Sequence, residues 1–195
     1  DARFIIIPLG IEMKTGSHAN YLIYDKTIKE IERFEPHGGK TNIGFNYNSK
    51  MLDDILEKYI KSIDPSIQYI RPDDFIPKIG FQIMDAQETN KHRIGDPGGF
   101  CALWSIWYVD YRLTYHHLNR VELITALFEN IKINAISFRN MIRNYTRNIT
   151  FERDRLLKLV EMDINDWLND NYTNLQLDKL MTLLSKEINQ CCQKQ

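Results

Sequence analysis

The reactive chemistry in this sequence centres on Cys101, which follows two glycines and opens a long apolar segment, Phe100 to Leu113. In the first turn of a helix, unpaired backbone N–H groups and the positive end of the helix dipole stabilise a thiolate. We therefore predict that the pKa of Cys101 is lowered and that the same N–H groups can hold an oxyanion. The alternative is a small buried apolar side chain, which describes most free cysteines.

A nucleophilic thiolate usually has an imidazole partner, and His18 is the candidate because it opens a strand directly after Gly16-Ser17. If two strands pair around a two-residue turn at Lys26-Thr27, His18 stands directly opposite Glu35. A carboxylate in that position would orient the imidazole and stabilise its protonated form. A register slip of one residue would place the two side chains on opposite faces of the sheet. In the alternative interpretation, Glu35 only lies near Arg33 at the end of a strand.

The other histidines receive weaker predictions. His37 lies two residues past Glu35, and we place it at the rim of the site, or as the base if the strand register differs. His116 and His117 follow an apolar helix in a polar turn and are predicted to be exposed, and His92 falls in a polar loop.

The elements that must position these residues come in the order strands, central helix, further helices, which predicts an α+β fold. The strands are expected at Phe4–Ile11 (with Pro8 at an edge or bulge), His18–Tyr24, Ile28–Glu35 and Ile67–Ile70, with another at Gly80–Met84. Helices are expected at Asn48–Ile63 (with Asn48 or Ser49 as its cap), Phe100–Leu113, from the Asn119 capping box to Ile133, and at Ile136–Arg147, Glu152–Leu168 and Leu175–Cys191. The chain shows no internal repeat.

The segment HANYLIYDKTIKEIERFEPHG, followed far along the chain by a glutamine and then GGFCALWS, resembles the Ulp1-like and adenovirus-proteinase superfamily of cysteine proteases. The pattern is most similar to the thiol proteases of giant DNA viruses. The resemblance implies a papain-like fold, a mixed sheet packed on a central helix that starts at the catalytic cysteine. It covers about residues 3–145, and residues 150–195 are expected to form a helical extension of a single protease domain spanning residues 1–195.

The same resemblance implies the catalytic roles. Cys101 would be the nucleophile, His18 the base and Glu35 its orienting acid. Gln82 would be the oxyanion donor, with Gln87 as the alternative, although both precede the cysteine by more residues than is usual in the family. Ala19 departs from the tryptophan of the cellular members, which weakens any claim of SUMO specificity.

The resulting prediction is a thiol protease or isopeptidase that cleaves after small residues such as glycine, in ubiquitin-like conjugates or viral structural precursors. The alternatives are an acetyltransferase that uses acetyl-CoA and an inactive module that binds ubiquitin-like proteins. No cofactor or metal is predicted, since neither Asp53-Asp54 nor Asp73-Asp74 has a cysteine or histidine at ligand spacing.

Composition narrows the class of protein. The chain has 195 residues, is 43% hydrophobic and carries a formal net charge of −1, so nothing indicates a nucleic-acid or membrane partner. Three cysteines, two of them adjacent, favour a reducing compartment, here the host cytoplasm or the virion. Because residue 1 is Asp rather than Met, we expect the chain to be part of a longer protein.

Overall fold

A computed structural model describes residues 2–14, 16–39, 47–87, 100–134 and 137–192. The chain divides into two compact units, Asp1–Arg143 and Asn144–Gln195. All of the described residues that the sequence marks as chemically interesting lie in the first unit. Among the described helices, none combines the length and apolar composition that a bilayer crossing requires.

The first unit is built on a four-stranded sheet in the order β1-β2-β3-β4. Strands β1 (Phe4–Met13), β2 (Gly16–Asp25) and β3 (Glu30–Phe34) run antiparallel, and β4 (Gln68–Ile70) pairs parallel with β3. The isoleucine-rich segment after Arg3 therefore forms an edge strand. Pro8 lies on that edge strand, as predicted, where its missing N–H costs no hydrogen bond inside the sheet.

The predicted register between β2 and β3 is wrong by two residues. Tyr21 pairs with Phe34, and residues 26–29 form a four-residue turn in place of the predicted two-residue one. Lys29 closes this turn at a φ of 54°. Continuing the register past the end of β3 brings Glu35 opposite Asn20, two residues along β2 from His18. Because side chains alternate with a period of two, a shift of two residues leaves His18 and Glu35 on the same face.

Two helices cover the two faces of the sheet. Helix α1 (Ser49–Ile63) begins at the predicted cap, since the Asn48 side chain accepts a hydrogen bond from the Met51 N–H at 3.0 Å. Its Ile60 packs with sheet residues in one apolar cluster. Helix α3 (Cys101–Thr114) lies on the other face, where the ring of Tyr108 stacks on Phe34 with ring centroids 4.1 Å apart.

The predicted strand at Gly80–Met84 is wrong, because residues Phe81–Gln87 form helix α2. Short apolar segments fit strand and helix patterns almost equally, so packing decides between them. Here Phe81 is fully buried, and its ring stacks on Phe128 of helix α4 (Arg120–Ile133) at 4.0 Å. The Asn119–Glu122 capping box that the sequence predicts begins α4.

The second unit is helical, but its boundaries differ from the predicted ones. Helix α5 (Phe138–Leu159) runs without the predicted break between residues 147 and 152. The predicted helix Glu152–Leu168 is instead interrupted after Leu159, where Glu161 adopts a φ of 55°, and α6 (Ile164–Leu168) follows. Helix α7 (Asn174–Cys192) completes the unit. Its core consists of Leu157, Val160, Met162 and Leu180.

Candidate functional site

The structure brings His18 and Glu35 into direct contact. The Nε2 atom of His18, on β2, lies 2.7 Å from Oε1 of Glu35, which follows directly after β3. Both side chains are completely buried. The pairing that the sequence predicts between these two residues is therefore present, although it spans a diagonal position of the sheet rather than a directly opposite one.

Glu35 is held by donors on several sides. The backbone N–H of His37 donates to Oε1 at 3.0 Å, the Asn20 amide donates to Oε2 at 3.2 Å, and the Tyr47 hydroxyl also donates to Oε2. Burial alone would raise the pKa of Glu35, but the hydrogen bond from His18 and the charges of His18 and Arg33 outweigh it. The pKa falls to about 2, so this carboxylate is ionised at neutral pH.

Arg33 connects this carboxylate to the helix on the same face of the sheet. Its guanidinium lies 3.3 Å from Glu35 Oε2, and it forms two hydrogen bonds to Asp53 of α1, at 2.7 and 2.8 Å. Asp53 also accepts a hydrogen bond from the Tyr69 hydroxyl at 2.7 Å. Burying a charge is costly unless it is paired, and Glu35, Arg33 and Asp53 each have a partner of opposite charge.

Cys101 is the first residue of α3, as the sequence predicts, and only 8% of it is exposed. Burial raises the pKa of its thiol, but a hydrogen bond with His18 and backbone hydrogen bonds from Ala19 and Ala102 lower it overall. Burial likewise lowers the pKa of His18, and the hydrogen bonds with Cys101 and Glu35 raise it to about 9. The charged forms of the thiol and the imidazole therefore stabilise each other.

His37 does not lie at the rim, so that prediction is wrong. It is fully buried, and its ring stacks on His18 with ring centroids 4.5 Å apart. Burial lowers the pKa of His37 to about 4, with a further contribution from the neighbouring charge on His18, against the opposing effects of Glu35 and of a hydrogen bond with Gln82. A neutral second imidazole therefore contacts the first one inside the unit.

Gln82 lies beside His37 rather than in a loop before Cys101. Backbone hydrogen bonds join its segment to the residues after β3, from Gln82 N–H to Pro36 at 3.0 Å and from Gly80 N–H to His37 at 2.8 Å. Its side chain is 4% exposed. Its role as an oxyanion donor stays a prediction.

Some sequence predictions fall outside the described residues. Gln87 ends α2, but its side chain is not among the described ones. His92 and the glycines Gly98 and Gly99 before Cys101 also lie outside them. Elsewhere, His116 and His117 are exposed, as predicted, and Trp104 is a buried core residue.

Sequence reasoning missed the residues that surround Glu35, namely Asn20, Tyr47 and Asp53. Strand alternation could have indicated Asn20, because it shares a face with His18 two residues away. The sequence carries no local signal for Asp53, because it belongs to a helix and reaches Glu35 only through Arg33.

Comparison with known proteins gives one informative match. The chain is 48% identical over 179 residues to a protein of Acanthamoeba polyphaga mimivirus named as a "putative ankyrin repeat protein". The match includes 88% of this chain but only 23% of the mimivirus protein. No protein-family model matches the chain, and no solved structure matches it. The papain-like topology therefore stays a prediction, within a fold that is α+β.

This match contradicts the assignment to the cysteine protease superfamily, because the relative is named for ankyrin repeats and not for a peptidase activity. The predictions of a thiol protease or isopeptidase, of an enzyme and of a hydrolase are corrected accordingly. The giant-virus character that the sequence suggested does agree with the source of the relative. The contact between His18 and Glu35 stands as a structural fact, and the catalytic roles of Cys101, His18 and Glu35 stay predictions.

Proposed function

We propose that this chain is a protein-binding module. The support comes from the mimivirus relative, since ankyrin repeats stack into arrays whose extended surfaces bind other molecules. The chain spans 23% of that relative and shows no internal repeat of its own. The binding surface therefore has to be sought on the α+β unit itself.

The first part of that surface is the edge strand β1. Ile5 and Ile7 are 44% and 41% exposed, although both are large apolar residues. They pair with Tyr24 and Leu22, so they share the face of the sheet on which α1 packs. Exposed apolar side chains that continue a buried cluster are typical of a protein interaction site.

The second part is one flank of α1. The opposite flank is fixed by Asp54 and Glu57, which bind Arg71 just after β4. Helical spacing directs Tyr59 and Ile63 away from that flank, and these residues are 65% and 66% exposed. We define Ile5, Ile7, Tyr59 and Ile63 together as the β1–α1 surface, and the exposure of these four large side chains carries the proposal.

The proposed occupant is an extended, apolar segment of a partner protein. Within the described residues, β1 is paired with β2 on one side only, so its outer edge remains available except at Pro8, which has no N–H to donate. A partner strand would pair with this edge, and its alternate side chains would contact the exposed isoleucines. Among partner classes we propose a ubiquitin-like modifier, whose extended tail would be the added strand.

The test uses the full chain, immobilised and presented with two probes. These are a panel of ubiquitin-like modifiers and a displayed library of linear peptides, both measured by biolayer interferometry. We expect selected ligands to carry apolar residues at alternate positions. The variant Ile7→Lys should weaken their binding at least tenfold, about 1.4 kcal/mol, because a charge then enters the apolar contact.

The matched control is Ile133→Lys, which places the same charge at an 81% exposed isoleucine at the end of α4. Binding should be unchanged in this variant. The proposal fails if no probe binds, or if Ile7→Lys and Ile133→Lys weaken binding equally.

A further inference from the structure

Three potential metal ligands converge in the buried cluster. One donor atom each from His18, Glu35 and His37 lies within 4.8 Å of the other two, and all three residues are buried. Two imidazoles and a carboxylate are the donor types that zinc takes in proteins. We propose that His18, Glu35 and His37 bind one divalent transition-metal ion, with Zn²⁺ as the ion that fits best.

The spacing of the donors is close to what a tetrahedral ion needs. With metal–ligand bonds of about 2.0–2.2 Å, tetrahedral ligand atoms lie about 3.3 Å apart. The 2.7 Å contact between His18 and Glu35 must therefore open by about 0.6 Å, while the His37 donor moves inward. Rotation of the His18 and His37 side chains, now stacked at 4.5 Å, supplies this adjustment.

The charges around the cluster also favour a cation. The Glu35 and Asp53 carboxylates oppose a single guanidinium, that of Arg33. Before His18 binds a proton, these groups leave one net negative charge in a buried region, and a bound cation would compensate it.

The residues around the ligands are arranged as in known metal sites, where ligands are held by outer hydrogen bonds. Glu35 is fixed through Oε2 by Asn20, Arg33 and Tyr47. Its Oε1 keeps the hydrogen bond from the His37 N–H, and the ion would replace its direct contact with His18 Nε2. His18 and His37 then supply one imidazole nitrogen each.

The experiment measures metal directly. The full chain is produced in zinc-supplemented medium, so that the buried site is filled during folding, and is then dialysed against metal-free buffer. Elemental analysis should find about one zinc per chain. The metal-free protein is then titrated with Co²⁺ and followed by its visible absorption. The variant His37→Phe, which keeps a ring for stacking, should weaken binding at least tenfold.

The matched control is His116→Phe, since His116 is an exposed histidine of the same unit, and metal binding should be unaffected. Circular dichroism tests the folding of each variant, and His37→Gln replaces His37→Phe if the latter is misfolded. The proposal is overturned if the wild-type chain retains no zinc after dialysis. It is also overturned if cobalt shows a thiolate charge-transfer band that disappears in Cys101→Ser, while His37→Phe binds normally.

Discussion

At the residue scale, the chemistry of this protein follows from one imidazole that two acidic groups share. His18 contacts the Glu35 carboxylate through Nε2, and interaction with the Cys101 thiol also raises its pKa. Each contact stabilises the charged form of both partners, which is why the pKa of His18 rises while those of Glu35 and Cys101 fall. This behaviour can be tested without assuming any enzymatic activity.

The first prediction concerns the reactivity of Cys101. Alkylation by iodoacetamide requires the thiolate, so its rate should reach a plateau at a lower pH than for an ordinary thiol. In His18→Gln the midpoint should shift upward, because burial then raises the thiol pKa without the opposing hydrogen bond. Mass spectrometry in a Cys191→Ser/Cys192→Ser background isolates the signal. The control His117→Gln should leave the pH midpoint of alkylation unchanged. An unchanged midpoint in His18→Gln as well would disprove the coupling between His18 and Cys101.

The second prediction concerns acid stability. The pKa of His37 is about 4 in the folded chain and near 6.5 when exposed, so the unfolded state binds its proton first as pH falls. Stability from a neutral His37 is present above pH 6.5 and is lost as pH falls toward 4. Between about pH 7 and about pH 5 the loss should be about 2 kcal/mol, and His37→Phe should abolish it.

Urea unfolding at the two pH values measures this difference. In a Trp167→Phe background, fluorescence reports on Trp104 and Trp107, which are buried in the first unit. Two other groups do not disturb the comparison of wild type with His37→Phe. Glu35 titrates at lower pH, since its pKa is about 2, and His18 is present in both proteins. Equal pH dependence in wild type and His37→Phe would contradict the prediction.

At the scale of elements, the site depends on one close backbone contact. Residues 36–39, after β3, lie directly against residues 77–82, which lead into α2, and three backbone hydrogen bonds of 2.8–3.0 Å join the two segments. A Cβ atom on Gly80 would lie 2.4 Å from the Pro36 oxygen and 2.5 Å from the Gly38 nitrogen. Only glycine permits this approach, which places Gln82 beside His37.

The third prediction follows from that contact. Gly80→Ala should lower the free energy of unfolding by about 2–3 kcal/mol, because the methyl group meets backbone atoms that cannot move independently. Chemical denaturation gives the value. Gly10→Ala on β1 is the control, since a Cβ there has no atom within 4 Å, and it should change stability by less than about 0.5 kcal/mol. If Gly80→Ala and Gly10→Ala lower the free energy of unfolding equally, the close backbone contact at Gly80 does not explain the loss.

At the scale of the whole molecule, the candidate site and the helical second unit are built on separate cores. The cluster of Leu157, Val160, Met162 and Leu180 belongs to residues 144–195, and every described site residue belongs to residues 1–143. The β1–α1 surface also lies entirely within the first unit. Because helix α5 runs across the boundary between the units, a substitution in the second core tests whether they can be perturbed separately.

The fourth prediction uses Leu180→Ala. Leu180 is 6% exposed, and removing its buried methyl groups should cost the second unit about 2–5 kcal/mol. Hydrogen exchange measured by mass spectrometry should accelerate in peptides of residues 144–192, while peptides of β2, β3 and α3 keep their protection. The pH midpoint of Cys101 alkylation should also stay constant. Loss of protection throughout the chain would show that the two units unfold together.

The sequence by itself determined the start of α3 at Cys101, the caps of α1 and α4, and the shared face of His18 and Glu35. Each of these depends on a local pattern, such as helical spacing, a capping side chain or the strand period of two. This is why the predicted pairing survived a register error of two residues.

Only the tertiary structure decided the exact register, the helical state of Phe81–Gln87, the continuity of α5 and the burial of His37. These features depend on contacts between residues far apart in sequence, such as the stacking of Phe81 on Phe128 and the ion pair of Arg33 with Asp53. Local periodicity carries no information about such contacts, because their energy appears only when the separate elements pack together.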